Sequence, residues 1–174
     1  MTLGDRFRIH DSFLPQNEYD NLRRRAFSGE DVKWTLQCSA SEPSHVDRVF
    51  LSCDVQDDPF YNTHILSHIQ RCFDSKVEPL RIYYNGQHPN FHGSYHTDDG
   101  DVTAILYINV TQYQPSWGGW TELYDGDTDE RHMIPPLDNR LLLFDAKVPH
   151  RGLAFLNPAD PIRVNLTYKM KFVS

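Results

Sequence analysis

The sequence predicts an α+β protein, mainly β, in which an antiparallel sandwich or barrel carries helices on one face of its sheet. Three observations lead there. Helical spacing of apolar residues is confined to the first 79 positions. From Leu80 onward, short β-branched and aromatic runs alternate with Gly, Asn, Asp and Pro. In the final run, Val164, Leu166, Tyr168 and Met170 fall on one side while Arg163, Asn165, Thr167 and Lys169 fall on the other. One face suits packing against helices, and the other faces water or a polar lumen.

The elements follow in chain order. Residues 15–27 read as a helix, with Pro15 near its start and Tyr19, Leu22, Ala26 and Phe27 along one stripe. Residues 31–39 and 46–55 read as strands. Asp58-Pro59 opens a second helix, whose Ile65, Ile69, Cys72 and Phe73 recur at helical spacing. Strands are expected at 80–85, 102–110, 120–124, 140–145 and 162–172. Turn residues such as Asn85-Gly86, Asp99-Gly100-Asp101, Gly118-Gly119, Asp125-Gly126-Asp127 and Pro135-Pro136 separate them. No repeat or low-complexity linker interrupts the 174 residues, so one domain is expected.

Composition narrows the function classes. The net charge of −7 argues against a nucleic-acid partner, because phosphate contacts need cations. The Arg23-Arg24-Arg25 run reads as the solvated face of a helix. Three cysteines without C-x-x-C spacing predict no disulfide framework and a reducing, cytoplasmic setting. No signal peptide and no bilayer-length apolar run is visible, so no membrane partner is expected. The oligomeric state stays open.

His96-Thr97-Asp98 is the first chemical signal. On a strand, residues two apart project to the same face, so a ring nitrogen and a carboxylate oxygen there could share one cation. His150, at an expected strand edge, would complete a set of two His and one carboxylate. Such a set occupies one face of an octahedron and leaves three positions open. About one H-x-[DE] pair arises by chance in a chain of this composition, so the pair is weak alone. A rival, His45-Val46-Asp47, precedes the strand-rich half and lacks suitable partners nearby. The downstream order strengthens His96 and Asp98. His150 follows after several strands, and Arg163 lies on the polar face of the last strand, where a guanidinium fork suits a carboxylate. His64 and His68 fall at helical i, i+4 spacing that can hold zinc, but no signature carboxylate accompanies them, so they read as surface or packing residues. His88 and His92 would line the approach to His96 or sit in a solvated loop. Trp117 and Trp120 suit either a cleft wall or core packing.

Residues 80–172 resemble the 2-oxoglutarate/Fe(II) oxygenase superfamily, in particular its prolyl 4-hydroxylase-like branch. The resemblance rests on Tyr84-Asn85-Gly86-Gln87, Tyr95-His96-Thr97-Asp98, Val102 to Asn109, Gly118 to Leu123, Asn139 to Phe144, Pro149-His150 and Arg163 to Tyr168. It implies a double-stranded β-helix, or jelly roll, with N-terminal helices packed on one sheet. The chain then divides into a support region, 1–79, and a catalytic core, 80–172, within one oxygenase domain, 1–174. Carried over, His96, Asp98 and His150 would bind Fe(II), and Arg163 would hold the distal carboxylate of 2-oxoglutarate. Tyr84 and Tyr107 match positions that contact the co-substrate, and Tyr83 rivals Tyr84, because a one-residue slip exchanges their faces. Thr103, Asn165 and Thr167 are further candidates.

The implied cofactor is Fe(II), with 2-oxoglutarate and O₂ as co-substrates and ascorbate as a further candidate. The implied reaction hydroxylates a C–H bond, foremost of a prolyl residue in a protein or peptide, with succinate and CO₂ as co-products. A free amino acid, a small metabolite, or a non-catalytic jelly-roll binding module are the alternatives. Two features refine the resemblance. Arg163 stands where collagen-type prolyl hydroxylases carry Lys, and Asp98 separates the chain from the halogenating branch, which lacks that carboxylate.

Overall fold

A computed structural model describes residues 2–29, 32–39, 48–109, 112–159 and 161–173. The rival pair at His45 and Asp47 lies outside them. Ten strands and two helices are arranged in chain order: β1 (Phe7–His10), α1 (Gln16–Phe27), β2 (Thr35–Ser39), β3 (Arg48–Asp54), α2 (Leu66–Gln70), β4 (Lys76–Gln87), β5 (Val102–Tyr107), β6 (Thr121–Asp125), β7 (Glu130–Ile134), β8 (Leu141–Asp145), β9 (His150–Gly152) and β10 (Arg163–Val173).

Seven strands form one sheet in the order β1-β8-β5-β10-β4-β3-β2, and β7-β6-β9 form a second. Every strand pair is antiparallel. Leu123 and Ile134 of the small sheet meet Ile105, Tyr107, Leu142 and Phe144 of the large one in an apolar layer between them. This is an antiparallel sandwich, as the strand spacing predicts, in the jelly-roll-like form that the resemblance implies.

The central strand β10 decides which side chains face the lumen. Its register pairs Thr167 with Tyr83 and Ile105, and Leu166 with Tyr84 and Leu106. Side chains alternate along each strand, so residues 83, 85 and 87 share a face with 163, 165, 167 and 169. The opposite face carries Ile82, Tyr84, Ala104, Leu106, Val164, Leu166, Tyr168 and Met170. It packs on Tyr19, Leu22 and Ala26 of α1 and on Ile65 and Ile69. The helices therefore cover the back of the large sheet; of the stripes read from the sequence, Tyr19, Leu22, Ala26, Ile65 and Ile69 are buried and Phe27, Cys72 and Phe73 partly so.

Differences from expectation have local causes. The second helix begins as a wide π-helical segment, Phe60–Ile65, and α2 ends at Gln70, before Cys72 and Phe73. Strands β1, β7 and β9 were not foreseen. β1 and β7 are edge strands, with burial too slight to leave an alternating apolar signature, and β9 has three residues. His96 and Asp98 do not sit in a regular strand. His96 joins His150 by an isolated antiparallel bridge, and the chain is otherwise irregular there. Cys53 and Cys72 are free thiols. Among the described residues no helix is long and apolar enough to cross a membrane.

Candidate metal and co-substrate site

Backbone pairing places the metal-ligand candidates. His96 N donates to His150 O at 3.0 Å, and His150 N donates to His96 O at 2.9 Å. That bridge sets the two rings 4.3 Å apart. Asp98 N donates to Ala146 O at 2.8 Å, which holds the third residue beside the strand that leads to His150. Gly100 closes the turn that follows with φ +85°, and a side chain there would strike the carbonyl of Met170.

The side chains converge. His150 Nε2 lies 3.4 Å from Asp98 Oδ2, and His96 Nε2 lies 3.9 Å from Asp98 Oδ1. The ligand atoms of all three residues fall within 4.8 Å of one another. His96 Nδ1 contacts Ser94 O at 2.9 Å and His150 Nδ1 contacts Val148 O at 3.0 Å. A carbonyl can only accept, so each Nδ1 donates to its carbonyl and each Nε2 is turned inward. Thr103 Oγ1 donates to Asp98 Oδ2 at 2.7 Å, and Lys169 Nζ lies 2.9 Å from Oδ1.

Burial alone would push the Asp98 carboxyl up. The hydrogen bond and charge of His150, together with Lys169, outweigh it and hold the group well below the usual carboxylate range. Burial and then the neighbouring His150 push His96 down, although its side chain is 53% exposed. An anionic oxygen and two imidazole nitrogens, which give up any proton they carry when an ion binds, form the donor set that a divalent transition ion requires.

The same cleft, of about 320 Å³, reaches Arg163. Arg163 is 2% exposed, and no carboxylate pairs with it among the described residues. Its Nε donates to Gly119 O at 2.7 Å, Nη1 to Gln87 Oε1 at 2.8 Å and Nη2 to Thr121 Oγ1 at 2.7 Å. All three partners are neutral, so a full charge is buried with its shape fixed and its counter-ion missing. Burial accordingly pulls the guanidinium below its ordinary value. Gly152 makes room for this arrangement. A Cβ there would lie 2.6 Å from Gln87 Oε1 and 3.2 Å from Arg163 Nη1. A ligand carboxylate is the group this pocket lacks.

The remaining candidates divide between the two faces of the large sheet. Tyr83, Thr103, Asn165 and Thr167 line the cleft. Thr167 donates to Asn165 Oδ1 at 2.7 Å. Burial and then the Asp98 charge push the Tyr83 hydroxyl up, so it stays protonated. Tyr84, expected at the co-substrate, is on the other face. It is fully buried behind the sheet, with its hydroxyl donating to Tyr61 Oη at 3.2 Å and its ring tilted against Trp34. Strand alternation excludes it from the cleft and admits Tyr83.

Tyr107 is also corrected. It does not line the cleft; its ring lies 5.4 Å from the Arg163 guanidinium carbon and its hydroxyl donates to Thr121 Oγ1 at 2.7 Å. It backs Arg163. His92 lines the entrance, and Ala154 N donates to its Nδ1 at 3.1 Å, while His88 is exposed and bonds the neighbouring Pro89 carbonyl. Trp117 packs on Phe155, and Trp120 is exposed. Gln87, Thr121 and the Lys169–Asp98 contact were missed. Gln87 continues the 83, 85, 87 alternation and was legible in principle. Thr121 comes from the second sheet, and nothing local marks it.

Residues 80–168 match the model of a family described as the 2OG-Fe(II) oxygenase superfamily. The chain belongs to that superfamily. Membership carries Fe(II) and 2-oxoglutarate as the expected metal and co-substrate, and both fit the donor sets just described. Solved 2OG-Fe(II) oxygenase structures share the fold. A Pseudomonas putida prolyl-4-hydroxylase is similar over 99% of this chain and 96% of its own, at 20% identity and a TM-score of 0.66. A Trichoplax adhaerens prolyl hydroxylase, solved with a hypoxia inducible factor oxygen degradation domain peptide fragment, covers 93% and 82% at 19% identity and a TM-score of 0.69. HygX from Streptomyces hygroscopicus, solved with nickel, 2-oxoglutarate and hygromycin B, covers 93% and 82% at 10% identity and a TM-score of 0.61. No curated protein sequence matches the chain.

Proposed function

We propose that this oxygenase hydroxylates a C–H bond with Fe(II), 2-oxoglutarate and O₂, using His96, Asp98 and His150 as metal ligands and Arg163 as the co-substrate anchor. One observation carries the assignment. A single cleft has a convergent His-Asp-His set in one part and, in another, a buried guanidinium without a counter-ion. A binding module needs neither.

Each residue has a defined task. The Nδ1–H bonds of His96 and His150 hold both rings with Nε2 toward the metal. Thr103 orients the Asp98 carboxylate. Arg163, held by Gly119, Gln87 and Thr121, receives the distal carboxylate of 2-oxoglutarate, and Tyr107 stacks behind it. Tyr83, Asn165 and Thr167 supply polar contacts along the wall between. Bound metal, co-substrate and O₂ supply the oxidising power, and 2-oxoglutarate leaves as succinate and CO₂.

The favoured substrate is a prolyl residue in a protein or peptide. The two prolyl hydroxylases that share the fold support it, as does the exposure of Phe91 and Tyr95 at the entrance, where an extended chain could lie. The hygromycin B bound in HygX supports the second reading, a small-molecule substrate. Anaerobic titration with Fe(II) and 2-oxoglutarate should produce a weak visible charge-transfer band. Prolyl peptides and free amino acids should then be compared for stimulated succinate formation in air. No band and no succinate would leave the non-catalytic module standing.

A further inference from the structure

A second group of possible metal ligands lies on the helical side of the large sheet, away from the cleft. His64 Nε2 is 2.9 Å and His68 Nε2 is 2.8 Å from the same atom, Glu18 Oε2. Glu18 comes from the first turn of α1, whereas His64 lies in the π-helical segment and His68 in α2. The helical i, i+4 spacing seen in the sequence therefore does acquire a carboxylate, from a residue 46 positions before His64.

The contacts are not those of a carboxylate bonded by two imidazoles. Glu18 Oε2 is buried, yet it has no hydrogen-bond partner. Both ring nitrogens are within reach of it, but neither contact has hydrogen-bond geometry. A carboxylate oxygen within 3 Å of two ring nitrogens, with all three donor atoms inside 4.8 Å of one another, is what ligands of one ion look like. Zinc–ligand bonds of roughly 2.0–2.2 Å in a tetrahedron place the ligands about 3.3 Å apart. The two rings stand nearly perpendicular, 82°, with centroids 5.5 Å apart. Phe60 against His64 and Phe13 against His68 restrain both rings.

We propose that Glu18, His64 and His68 form a second metal site that binds a borderline divalent ion, foremost Zn²⁺. Two imidazoles and one carboxylate suit Zn²⁺ better than Ca²⁺ or Mg²⁺, which favour all-oxygen sets. His64 is 48% exposed, so the remaining position opens to water. The ion clasps α1 to the second helical segment, next to the Arg25–Asp58 ion pair at 2.9 Å that joins the same two pieces. Its role is to stabilise the helical layer behind the catalytic sheet.

The test uses Zn²⁺ itself. Equilibrium dialysis of the full chain should give about two zinc ions per molecule, one in each His-carboxylate set. A cleft-silenced variant, Asp98→Ala with His150→Ala, should retain one, and Zn²⁺ should raise its Tm. Adding His68→Asn should abolish both that zinc and the Tm rise. In the otherwise native chain, His64→Asn and His68→Asn should each reduce two zinc ions to one and leave succinate formation unchanged. This second comparison decides the matter if the cleft-silenced variant does not fold. A zinc content that neither asparagine variant lowers would overturn the proposal.

Discussion

Lys169 Nζ lies 2.9 Å from Asp98 Oδ1, inside the cleft. A cation therefore already sits on one oxygen of the carboxylate in the proposed metal-ligand set. Asp98 Oδ2 is held separately by Thr103. A divalent ion entering the site meets this ammonium as a like charge. Replacing Lys169 with Met should raise Fe(II) affinity by about tenfold or more, since even unit charges near 4 Å repel by several kcal/mol in a partly buried site. Anaerobic metal titration measures it. Unchanged or weaker affinity would mean that Lys169 chiefly positions the carboxylate.

Arg163 is a desolvated charge that waits for its partner. Arg163→Met should raise the KM for 2-oxoglutarate by roughly a hundredfold or more, through loss of a charged two-point contact. Its effect on the Tm of the ligand-free protein should be small, because relief of the desolvation cost of an unpaired charge offsets the loss of its bonds to Gly119, Gln87 and Thr121. In the native chain, 2-oxoglutarate at a hundred times its Kd should add about 2.7 kcal/mol of stability, and the variant should lose that gain. Thermal melts with and without co-substrate distinguish the two effects.

Neighbouring tyrosines offer a clean contrast. Tyr83→Phe removes a hydroxyl from the cleft wall and should raise the KM for 2-oxoglutarate. Tyr84→Phe removes a bond to Tyr61 behind the sheet and should cost about 1 kcal/mol of stability while leaving KM alone. Steady-state kinetics and denaturant melts of both proteins check this. If the Tyr84 variant shifts KM and the Tyr83 variant does not, the register has been misassigned to function.

Asp11 and Arg140 predict a pH dependence. Arg140 grips Asp11 with Nε at 2.6 Å from Oδ1 and Nη2 at 2.9 Å from Oδ2, which lowers the carboxyl below its ordinary value. A lowered folded value means stability that is present above the unfolded value and lost as pH falls through the folded one. Asp11→Asn should therefore be less stable than the native chain above about pH 4, with the gap closing in more acid solution. Asp11 is 59% exposed, so solvent screening keeps the gap within about 1 kcal/mol. Urea melts across pH measure it. A gap that persists at low pH would count against the ion pair.

Much of the fold was legible because period encodes burial. Tyr19, Leu22 and Ala26 repeat at helical spacing and are the buried stripe of α1. The alternation from Arg163 to Met170 separates the cleft wall from the helix-facing core. The short edge strands β1 and β7 left no such record, since a strand paired on one side with slight burial needs no apolar face.

By itself the sequence determined the strand-rich second half, the two faces of β10, and the residue types for a His-Asp-His set with a trailing arginine. These are local facts, because side-chain periodicity and chemistry reside within a few residues. Tertiary structure alone decided the rest. It aligned β10 with β4 so that Tyr83 and not Tyr84 faces the cleft, bridged His96 to His150 across an irregular stretch, surrounded Arg163 with Gly119 and Thr121, and brought Glu18 to His64 and His68. Each of these depends on register or on the packing of distant segments, and those are settled by the sum of many long-range contacts that no short stretch of chain contains.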